Sequence, residues 1–265
     1  MANDLEIVPL PAFTDNYIWV LRRGNQAVVV DPGDAAPVLD YLAQHQLSLV
    51  AILATHHHRD HVGGVAELLG KLNAGDIPVF GPATEAIGTV NRPLSDGDHV
   101  ELPEIGASFE VIAVPGHTRG HIAYYGGKLM GCGVLLCGDT LFACGCGRLF
   151  EGTPQQMCRS LSRLAALPRQ TAVYCAHEYT QANIRFALAV EPDNVALQAR
   201  EQEAARTRAL DLPTLPSTIG AELATNPFLR WDAPGVIRAA RKFSGKESAQ
   251  PEAVFAAIRE WKNKF

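Results

Sequence analysis

A short stretch of this sequence concentrates side chains that bind metal ions, and it reads His56-His57-His58-Arg59-Asp60-His61. The first and third histidines are two residues apart, so an extended backbone projects both to one side and the middle one to the other. Asp60 and His61 follow about one turn later, at the start of a predicted helix, and face a second position. Imidazole and carboxylate ligands together suit Zn²⁺, iron or Mn²⁺, so the stretch indicates a metal site.

Other potential ligands follow apolar runs that are typical of buried strands. These ligands are His117 after residues 109–114, Asp139 after residues 134–137 and His177 after residues 172–175. The metal-binding stretch itself follows the apolar run 49–54. In a layered α/β fold the carboxyl ends of the strands lie along one edge, where sites are usually built. We therefore expect these strand ends to converge in space.

This convergence predicts a pair of metal ions. We expect one ion to be bound by His56, His58 and His117, and the other by Asp60, His61 and His177. Asp139 has two carboxylate oxygens and no obvious ion of its own, so we expect it to bridge the pair, and two ions about 3.5–4 Å apart can share a water. A lone histidine or a single His-x-His pair is more often structural, but so many histidines placed beyond strands favour metal binding.

The composition narrows the class of protein. A chain of 265 residues with 47% hydrophobic and 19% charged residues forms one large domain, or one domain with a smaller appendage. The net charge of −5 argues against nucleic acid and anionic membranes as partners. We expect no secretory signal in the first residues and no membrane span, because no apolar run is long enough for one. The six cysteines include no Cys-x-x-Cys pair, so we expect reduced thiols and a cytoplasmic location.

The pattern of elements changes near residue 180. Before it, predicted strands alternate with short helices, and the predicted helices are Pro37–Leu47, His61–Leu72 and Pro154–Leu167. After it, residues 180–209 read as helical and Pro251–Lys264 as an amphipathic helix, with a proline-containing loop between them. We therefore expect a catalytic domain over residues 1–179 and a mostly helical domain over residues 180–265.

The arrangement Thr-His-x-His-x-Asp-His, followed by Gly-His, Gly-Asp and a later histidine, resembles the metallo-β-lactamase superfamily. This resemblance implies an αββα sandwich, in which two mixed sheets lie face to face, helices cover them and the metal site lies at one edge. Asp31, in Val-Asp-Pro-Gly, matches a family position whose carboxylate orients metal ligands. A simple turn residue is an equally open interpretation of Asp31.

Finer motifs resemble one family, the hydroxyacylglutathione hydrolases or glyoxalase II. The motifs are Phe-Thr-Asp-Asn-Tyr at 13–17, Pro-Gly-His-Thr-Arg-Gly-His at 115–121, Gly-Asp-Thr-Leu-Phe at 138–142, Cys-Gly-Arg-Leu-Phe-Glu-Gly at 146–152, His-Glu-Tyr at 177–179 and Asn-Pro-Phe-Leu-Arg at 226–230. The resemblance covers essentially the whole chain. It implies hydrolysis of the thioester S-D-lactoylglutathione to D-lactate and glutathione by a metal-bridging hydroxide, the second step of methylglyoxal detoxification. Two divalent ions per chain are implied, Zn²⁺ first and iron or Mn²⁺ as alternatives, in a monomer.

The same resemblance assigns roles to residues that bind the glutathione moiety. Arg259 and Lys262 would bind its glycine carboxylate, and Tyr179 would hydrogen-bond its peptide part. Arg148 stands where some relatives have Lys, which keeps the charge but not the geometry, and Phe150 replaces a Tyr and loses a hydroxyl contact. Among the metal ligands, Asp60 would also accept a hydrogen bond from the hydroxide. Without the resemblance, Arg259 and Lys262, the tail cations, would be interpreted as part of a solvent-exposed helix face.

Two other interpretations stay open on the sequence. A glutathione persulfide dioxygenase of the same fold, with a single iron, also tends to carry a Gly-Cys-Gly-Arg stretch, but the helical tail with Arg259 and Lys262 favours the hydrolase. A lactamase or nuclease of the superfamily would be expected to carry a signal peptide or a basic groove, and the sequence indicates neither.

Overall fold

The protein is described here by a computed structural model over residues 4–265, which fold as two compact units. The first unit comprises the described chain up to Ala113 together with Arg119–Gly138. The second comprises Val114–Thr118 and Asp139–Phe265. Residues 1–3 lie outside the described residues. They belong to the segment for which the sequence predicts no secretory signal. The predicted domain boundary near residue 180 rests on composition and stays a prediction.

The first unit contains a sheet with the strand order β1-β2-β3-β4-β5-β6. Its strands are β1 (Glu6–Ala12), β2 (Asn16–Arg23), β3 (Gln26–Val30), β4 (Ser48–Leu53), β5 (Val79–Pro82) and β6 (Arg92–Leu94). The pairs β1–β2 and β2–β3 are antiparallel, whereas the pairs β3–β4, β4–β5 and β5–β6 are parallel. The sequence does not predict β1, because Pro9 and Pro11 argue against a central strand; β1 lies at the sheet edge, where a missing N–H is tolerated.

The first unit also contains a run of antiparallel strands. These are β7 (His99–Leu102), β8 (Ala107–Ala113), β9 (Ile122–Gly126) and β10 (Val134–Gly138), and each pairs with the next. Strands β8 and β10 lie within two residues of the predicted apolar runs 109–114 and 134–137 at each end. The chain passes from β8 towards His117 and from β10 directly into Asp139, as the sequence pattern predicts.

Helices α1 (Ala36–His45) and α3 (Val65–Lys71) pack their apolar faces into the core of the first sheet. In α1 a proline in the first turn fits the helix start, and the buried Val38 and Leu42 are four residues apart on one face. They share a core with Ile52 of β4 and Leu68 of α3. Burying a side chain of this size stabilises the fold by about 1.5–3 kcal/mol. Strand β4 is therefore well anchored in the core and holds the start of the loop that follows it.

The predicted helix His61–Leu72 is wrong as a single element, because the structure has α2 (Arg59–Val62) and then α3, separated at Gly63 and Gly64. A Cβ on Gly64 would lie 2.6 Å from the carbonyl carbon of Asp34 and 2.8 Å from the carbonyl oxygen of Pro32. The turn after β3 therefore packs directly against this backbone. The glycines permit that close approach and end the short helix that carries the histidines.

The second unit is mostly helical. Its elements are β11 (Leu141–Phe142), β12 (Gly145–Cys146), α4 (Pro154–Ala165), β13 (Ala172–Cys175), α5 (Thr180–Val190), α6 (Val195–Ala209), β14 (Ser217–Thr218), α7 (Ile219–Thr225), α8 (Pro234–Ser244) and α9 (Pro251–Lys264). Helix α4 starts with a capping box in which Thr153 and Gln156 satisfy each other's backbone N–H groups. The predicted β13 and α9 match the observed bounds.

The loop predicted between residues 209 and 251 is wrong, because this segment contains β14, α7 and α8. Pro216 precedes β14, Pro227 follows α7, and Pro234 lies in the first turn of α8, where its missing N–H has no partner to lose. The prolines therefore mark the borders of short elements.

Mixed sheets with helices and a helical C-terminal region confirm the predicted α/β class with a helical appendage. Within residues 4–265, no helix is both long and apolar enough to cross a membrane.

Candidate metal centre

The first unit places its candidate ligands on the loop after β4 and on α2. His56 is buried and His58 is the residue before α2, with the extended backbone that the His-x-His spacing requires. His56 Nε2 and His58 Nδ1 lie 3.1 Å apart. Two nitrogens bound to one tetrahedral ion at about 2.0–2.1 Å would be separated by about 3.3 Å. This pair therefore has the spacing of two ligands of one metal ion.

Asp31 orients the histidines of this loop. Its Oδ2 atom accepts hydrogen bonds from His61 Nδ1 at 3.0 Å and from Thr55 Oγ1 at 2.7 Å, and its Oδ1 atom accepts from Thr55 N at 2.7 Å. Because the Thr55 hydroxyl donates to Asp31, its oxygen accepts from His56 Nδ1, 3.0 Å away. Both histidines are thus protonated on Nδ1 and carry the lone pair on Nε2. The structure favours this role of Asp31 over that of a simple turn residue.

The sequence did not indicate three other residues that support the first-unit ligands. Asn16 Nδ2 donates to Asp60 Oδ2 at 3.1 Å and so fixes the orientation of that carboxylate. His121 is buried and stacks on His56, with ring centroids 4.5 Å apart and ring planes 18° apart. Gly138 has φ +47°, and a Cβ there would overlap the Thr55 hydroxyl. The quoted motifs that contain Asn16, His121 and Gly138 were the only signal available for these contacts.

In the second unit, Asp139 lies between two histidines. Its Oδ2 atom is 3.3 Å from His117 Nε2, and its Oδ1 atom is 3.3 Å from His177 Nε2. His117 Nδ1 donates to the backbone carbonyl of Arg148 at 2.8 Å, which leaves the Nε2 lone pair directed at the carboxylate side. All three side chains are at least nine-tenths buried. Each carboxylate oxygen thus faces a different imidazole, the arrangement expected of a bridging aspartate.

The donor atoms in each unit fit a divalent metal ion. His56, His61 and His117 each use Nδ1 for a hydrogen bond to an oxygen and present Nε2. Histidine ligands of metals are held in this way, with the second nitrogen donating to a carboxylate, a carbonyl or a hydroxyl. Imidazole nitrogens together with the carboxylates of Asp60 and Asp139 suit Zn²⁺, iron and Mn²⁺ equally well.

Two of the residues assigned to substrate binding lie against ligands of the second unit. The exposed ring of Phe150 meets His117 edge-on, with centroids 5.2 Å apart. The ring of Tyr179 stacks on His177, with centroids 4.7 Å apart and an interplanar angle of 7°. Arg148 is exposed, and its guanidinium lies 5.8 Å from the centroid of Phe150. An open face beside the ligands is therefore lined by aromatic rings and one cation.

The tail cations do not form a solvated helix face. Arg259 is buried, its Nη1 donates to the carbonyl oxygen of Cys146 at 2.8 Å, and its guanidinium lies 5.1 Å from the centroid of Phe228. Lys262 Nζ donates to the carbonyl oxygen of Ala182 at 3.3 Å. Burial, reinforced by the positive charges of Arg259 and Arg185, lowers the pKa of Lys262 to about 8. Neighbouring cations repel one another, and a bound anion would relieve that repulsion.

Comparison with known families identifies the family of this chain. Residues 12–177 match the metallo-beta-lactamase superfamily. Residues 178–265 match the hydroxyacylglutathione hydrolase C-terminus. A relative from Ectopseudomonas mendocina named hydroxyacylglutathione hydrolase is 55% identical over 264 residues, 98% of this chain and 100% of the relative. This chain is a member of the hydroxyacylglutathione hydrolase family. It is therefore a thioester hydrolase with the metallo-β-lactamase fold, and it binds divalent metal.

Solved structures show the same fold. The structure of ETHE1 from Myxococcus xanthus has a TM-score of 0.64 and 22% identity, and the match covers 97% of each chain. The structure of TTHA1623 in a di-iron-bound form has a TM-score of 0.57 and 29% identity, and the match covers 84% of this chain and 100% of that one. The first likeness shows the fold alone. Since the family relatives are far more similar in sequence, the dioxygenase interpretation is the weaker one.

The two cysteines in the turn after Asp139 have no features of thiolate ligands in this family member. Cys144 connects β11 and β12 with φ +55°, and burial raises the pKa of its thiol to about 12. Burial likewise raises the pKa of Cys146, whose carbonyl oxygen accepts from Arg259. Both side chains are therefore neutral thiols near pH 7 and not thiolate ligands.

Proposed function

We propose that this chain hydrolyses S-D-lactoylglutathione to D-lactate and glutathione, the second step of methylglyoxal detoxification. The observation that carries the proposal is the pair of crowded cations, Arg259 and Lys262, in the same unit as the buried trio His117, Asp139 and His177. A hydrolytic donor set alone fits any member of the superfamily. Cations placed for a carboxylate fit a substrate that carries glutathione, as the name of the relatives states.

We propose two divalent ions per chain. His56, His58 and His117 would hold one ion, and Asp60, His61 and His177 would hold the other, with Asp139 bridging them. The orientation of the His56, His61 and His117 rings, the spacing of His56 and His58, and the two imidazoles that face Asp139 support this assignment. A di-iron form of a structural relative supports the number of ions. We propose Zn²⁺, with iron or Mn²⁺ as alternatives that the same ligands accept.

Bound metal ions supply a Lewis acid for the thioester carbonyl and lower the pKa of water towards neutrality. The protein supplies the geometry. Asp60, fixed by Asn16, accepts a hydrogen bond from the attacking water and directs its oxygen at the carbonyl carbon. The C–S bond then breaks and the sulfur leaves as the glutathione thiolate, which needs little help from a general acid. Net addition of one water gives the hydroxy acid and the thiol.

The remaining assignments concern the glutathione moiety. Arg259 and Lys262 bind the glycine carboxylate, and Tyr179, already held by stacking on His177, hydrogen-bonds the peptide part. Arg148 adds a positive charge at the open face beside Phe150. Rings that also pack on the metal ligands place the thioester next to the reacting water.

We further propose a cytoplasmic monomer that acts on this small molecule and on neither nucleic acid nor membrane; the six free cysteines support the location.

One experiment tests the proposal. Purified protein is assayed with S-D-lactoylglutathione by loss of thioester absorbance, with an oxygen electrode in the same cell and elemental analysis of the same sample. We expect rapid thioester loss without oxygen uptake and close to two metal equivalents per chain. Oxygen consumption with glutathione persulfide would replace the hydrolase by the dioxygenase, and one metal equivalent in a fully active sample would refute the paired site.

A further inference from the structure

We infer that Glu85 is a positioning residue, which clamps the metal-binding loop through the non-ligating His57 and so holds His56 and His58 in ligand geometry. The His-x-His spacing predicts only that His57 projects away from the two ligands, and no sequence pattern singles out Glu85. This inference rests on the proposed metal ligands and concerns how the protein keeps them in place.

The clamp consists of three hydrogen bonds to one carboxylate. Glu85 Oε2 accepts from His57 N at 2.6 Å and from His57 Nδ1 at 2.9 Å, and Glu85 Oε1 accepts from Gly120 N at 3.0 Å. The Glu85 side chain is only 4% exposed. Burying a carboxylate costs free energy unless its oxygens accept hydrogen bonds. These three contacts therefore stabilise Glu85 and hold the loop in one position.

The topology of the sheet brings this carboxylate to the loop. Glu85 follows β5, and His56 follows β4, which is the parallel neighbour of β5. Because parallel neighbours end at the same edge of a sheet, the turn after one strand lies beside the loop after the other. The His57 backbone N–H lies between the two ligands, so holding it in place holds both.

The absence of a side chain at Gly120 leaves room for Glu85 to reach the Gly120 backbone N–H. A Cβ at this position would overlap Glu85 Cγ and Thr84 Oγ1. The next residue, His121, is the one whose ring stacks on His56 at 4.5 Å. Glu85 therefore connects two backbone segments of the first unit that both contact the same ligand, one through the chain and one through ring stacking.

The decisive variant is Glu85→Gln. An amide has one acceptor and one donor end, so either orientation places an N–H group against His57 or against Gly120. We expect the affinity for Zn²⁺, measured by chelator competition on the metal-free protein, to fall about tenfold, and the thermal midpoint to fall more for the Zn²⁺-loaded protein than for the metal-free protein. Glu101→Gln, at an exposed carboxylate of the same unit that accepts from Ser108, is the matched control and should bind Zn²⁺ like the wild type.

A cycle with His57→Ala tests the path of the effect. If Glu85 acts through His57, the double variant should lose little more affinity than Glu85→Gln alone, because neighbours in one network are not additive. Independent losses that simply add would contradict the clamp. Gly120→Ala displaces Glu85 from the other side and should also weaken Zn²⁺ binding; if Glu85→Gln does not fold, this variant and His57→Ala decide the question.

The outcomes separate this inference from the proposed function. Wild-type protein that binds no Zn²⁺ would overturn the proposed metal ligands. Wild-type protein that binds two ions, together with a Glu85→Gln variant of the same affinity, would overturn the clamp alone. Equal loss of thermal stability with and without metal, at unchanged affinity, would make Glu85 a purely structural residue and would equally refute the inference.

Discussion

The two units hold their proposed metal ligands by different means. In the first unit these residues lie within the stretch 56–61, and side chains orient them: Asp31 fixes the ring of His61, Thr55 that of His56, and Asn16 fixes Asp60. In the second unit the ligands come from separate points of the chain. There a backbone carbonyl orients His117, and ring stacking on Tyr179 holds His177.

This difference determines where the centre is vulnerable to substitution. An orienting carboxylate can be removed by a single change, and both rings that depend on it then lose their preferred tautomer. A backbone carbonyl is present whatever the side chain, so no substitution at its residue removes it. The first unit should therefore be sensitive to changes behind the ligands, whereas the second should be sensitive mainly at the ligands themselves.

The largest effect is expected for Asp31→Asn. Asparagine tolerates the left-handed backbone of this position (φ +51°), so the change tests the charge and the acceptors rather than the turn. Its single acceptor cannot serve both Thr55 N and His61 Nδ1, and a donor facing His61 moves the ring proton to the ligand atom. We expect metal affinity, measured by chelator competition, and activity to fall about 10–100-fold.

The control for this variant lies in the same turn. Asp34→Asn changes a carboxylate that accepts only an exposed backbone N–H, that of Ala36 at 3.0 Å, and should leave metal affinity within about twofold of the wild type. If Asp31→Asn behaved like Asp34→Asn, orientation by side chains would be unimportant, and the contrast between the units would disappear.

The next largest effect concerns substrate binding in the second unit. Lys262→Ala removes a partly buried cation that the glycine carboxylate would contact, and a charge-assisted hydrogen bond contributes about 1.5 kcal/mol, or a tenfold change. We expect KM to rise about tenfold at nearly constant kcat in steady-state assays with S-D-lactoylglutathione, because this contact is equal in the ground and transition states. Lys264→Ala, on the same helix but exposed and paired with Glu260, should change neither constant. A large fall in kcat at unchanged KM would instead place Lys262 at the reacting atoms.

The pH dependence of KM should separate the charge of Lys262 from its size. Burial, with Arg259 and Arg185 nearby, lowers the pKa of this ammonium to about 8, so it is charged below that pH and neutral above it. Carboxylate binding needs the charged form, and KM should therefore rise severalfold between pH 7 and pH 9. Lys262→Arg keeps its charge throughout this range and should have a flatter profile. A wild-type KM that does not change across this range would refute the role of the ammonium.

The sequence predicts some residues of the candidate site and misses others. The proposed ligands could be named from the sequence, because they follow apolar runs that are typical of buried strands. Asp31 was predictable only from a motif, since a turn aspartate has the same local signature. Glu85 left no local signal, because its contacts depend on which strands are neighbours. The break at Gly63 and Gly64 was missed for a similar reason: helical periodicity continues across it, and only the approach of the turn after β3 shows why the helix must end.

The smallest effect is expected for Arg148→Ala, and it tests the comparison most directly. His117 is oriented by the carbonyl of Arg148 and not by its side chain, so metal affinity should stay within about twofold of the wild type. The exposed guanidinium contributes only a surface charge to substrate binding, and KM should rise no more than about fivefold. Arg148→Lys should recover most of that change, since it restores the charge at the same open face. A metal affinity reduced as strongly as by Asp31→Asn would mean that a side chain orients the second-unit ligands after all, and the two units would then share one strategy.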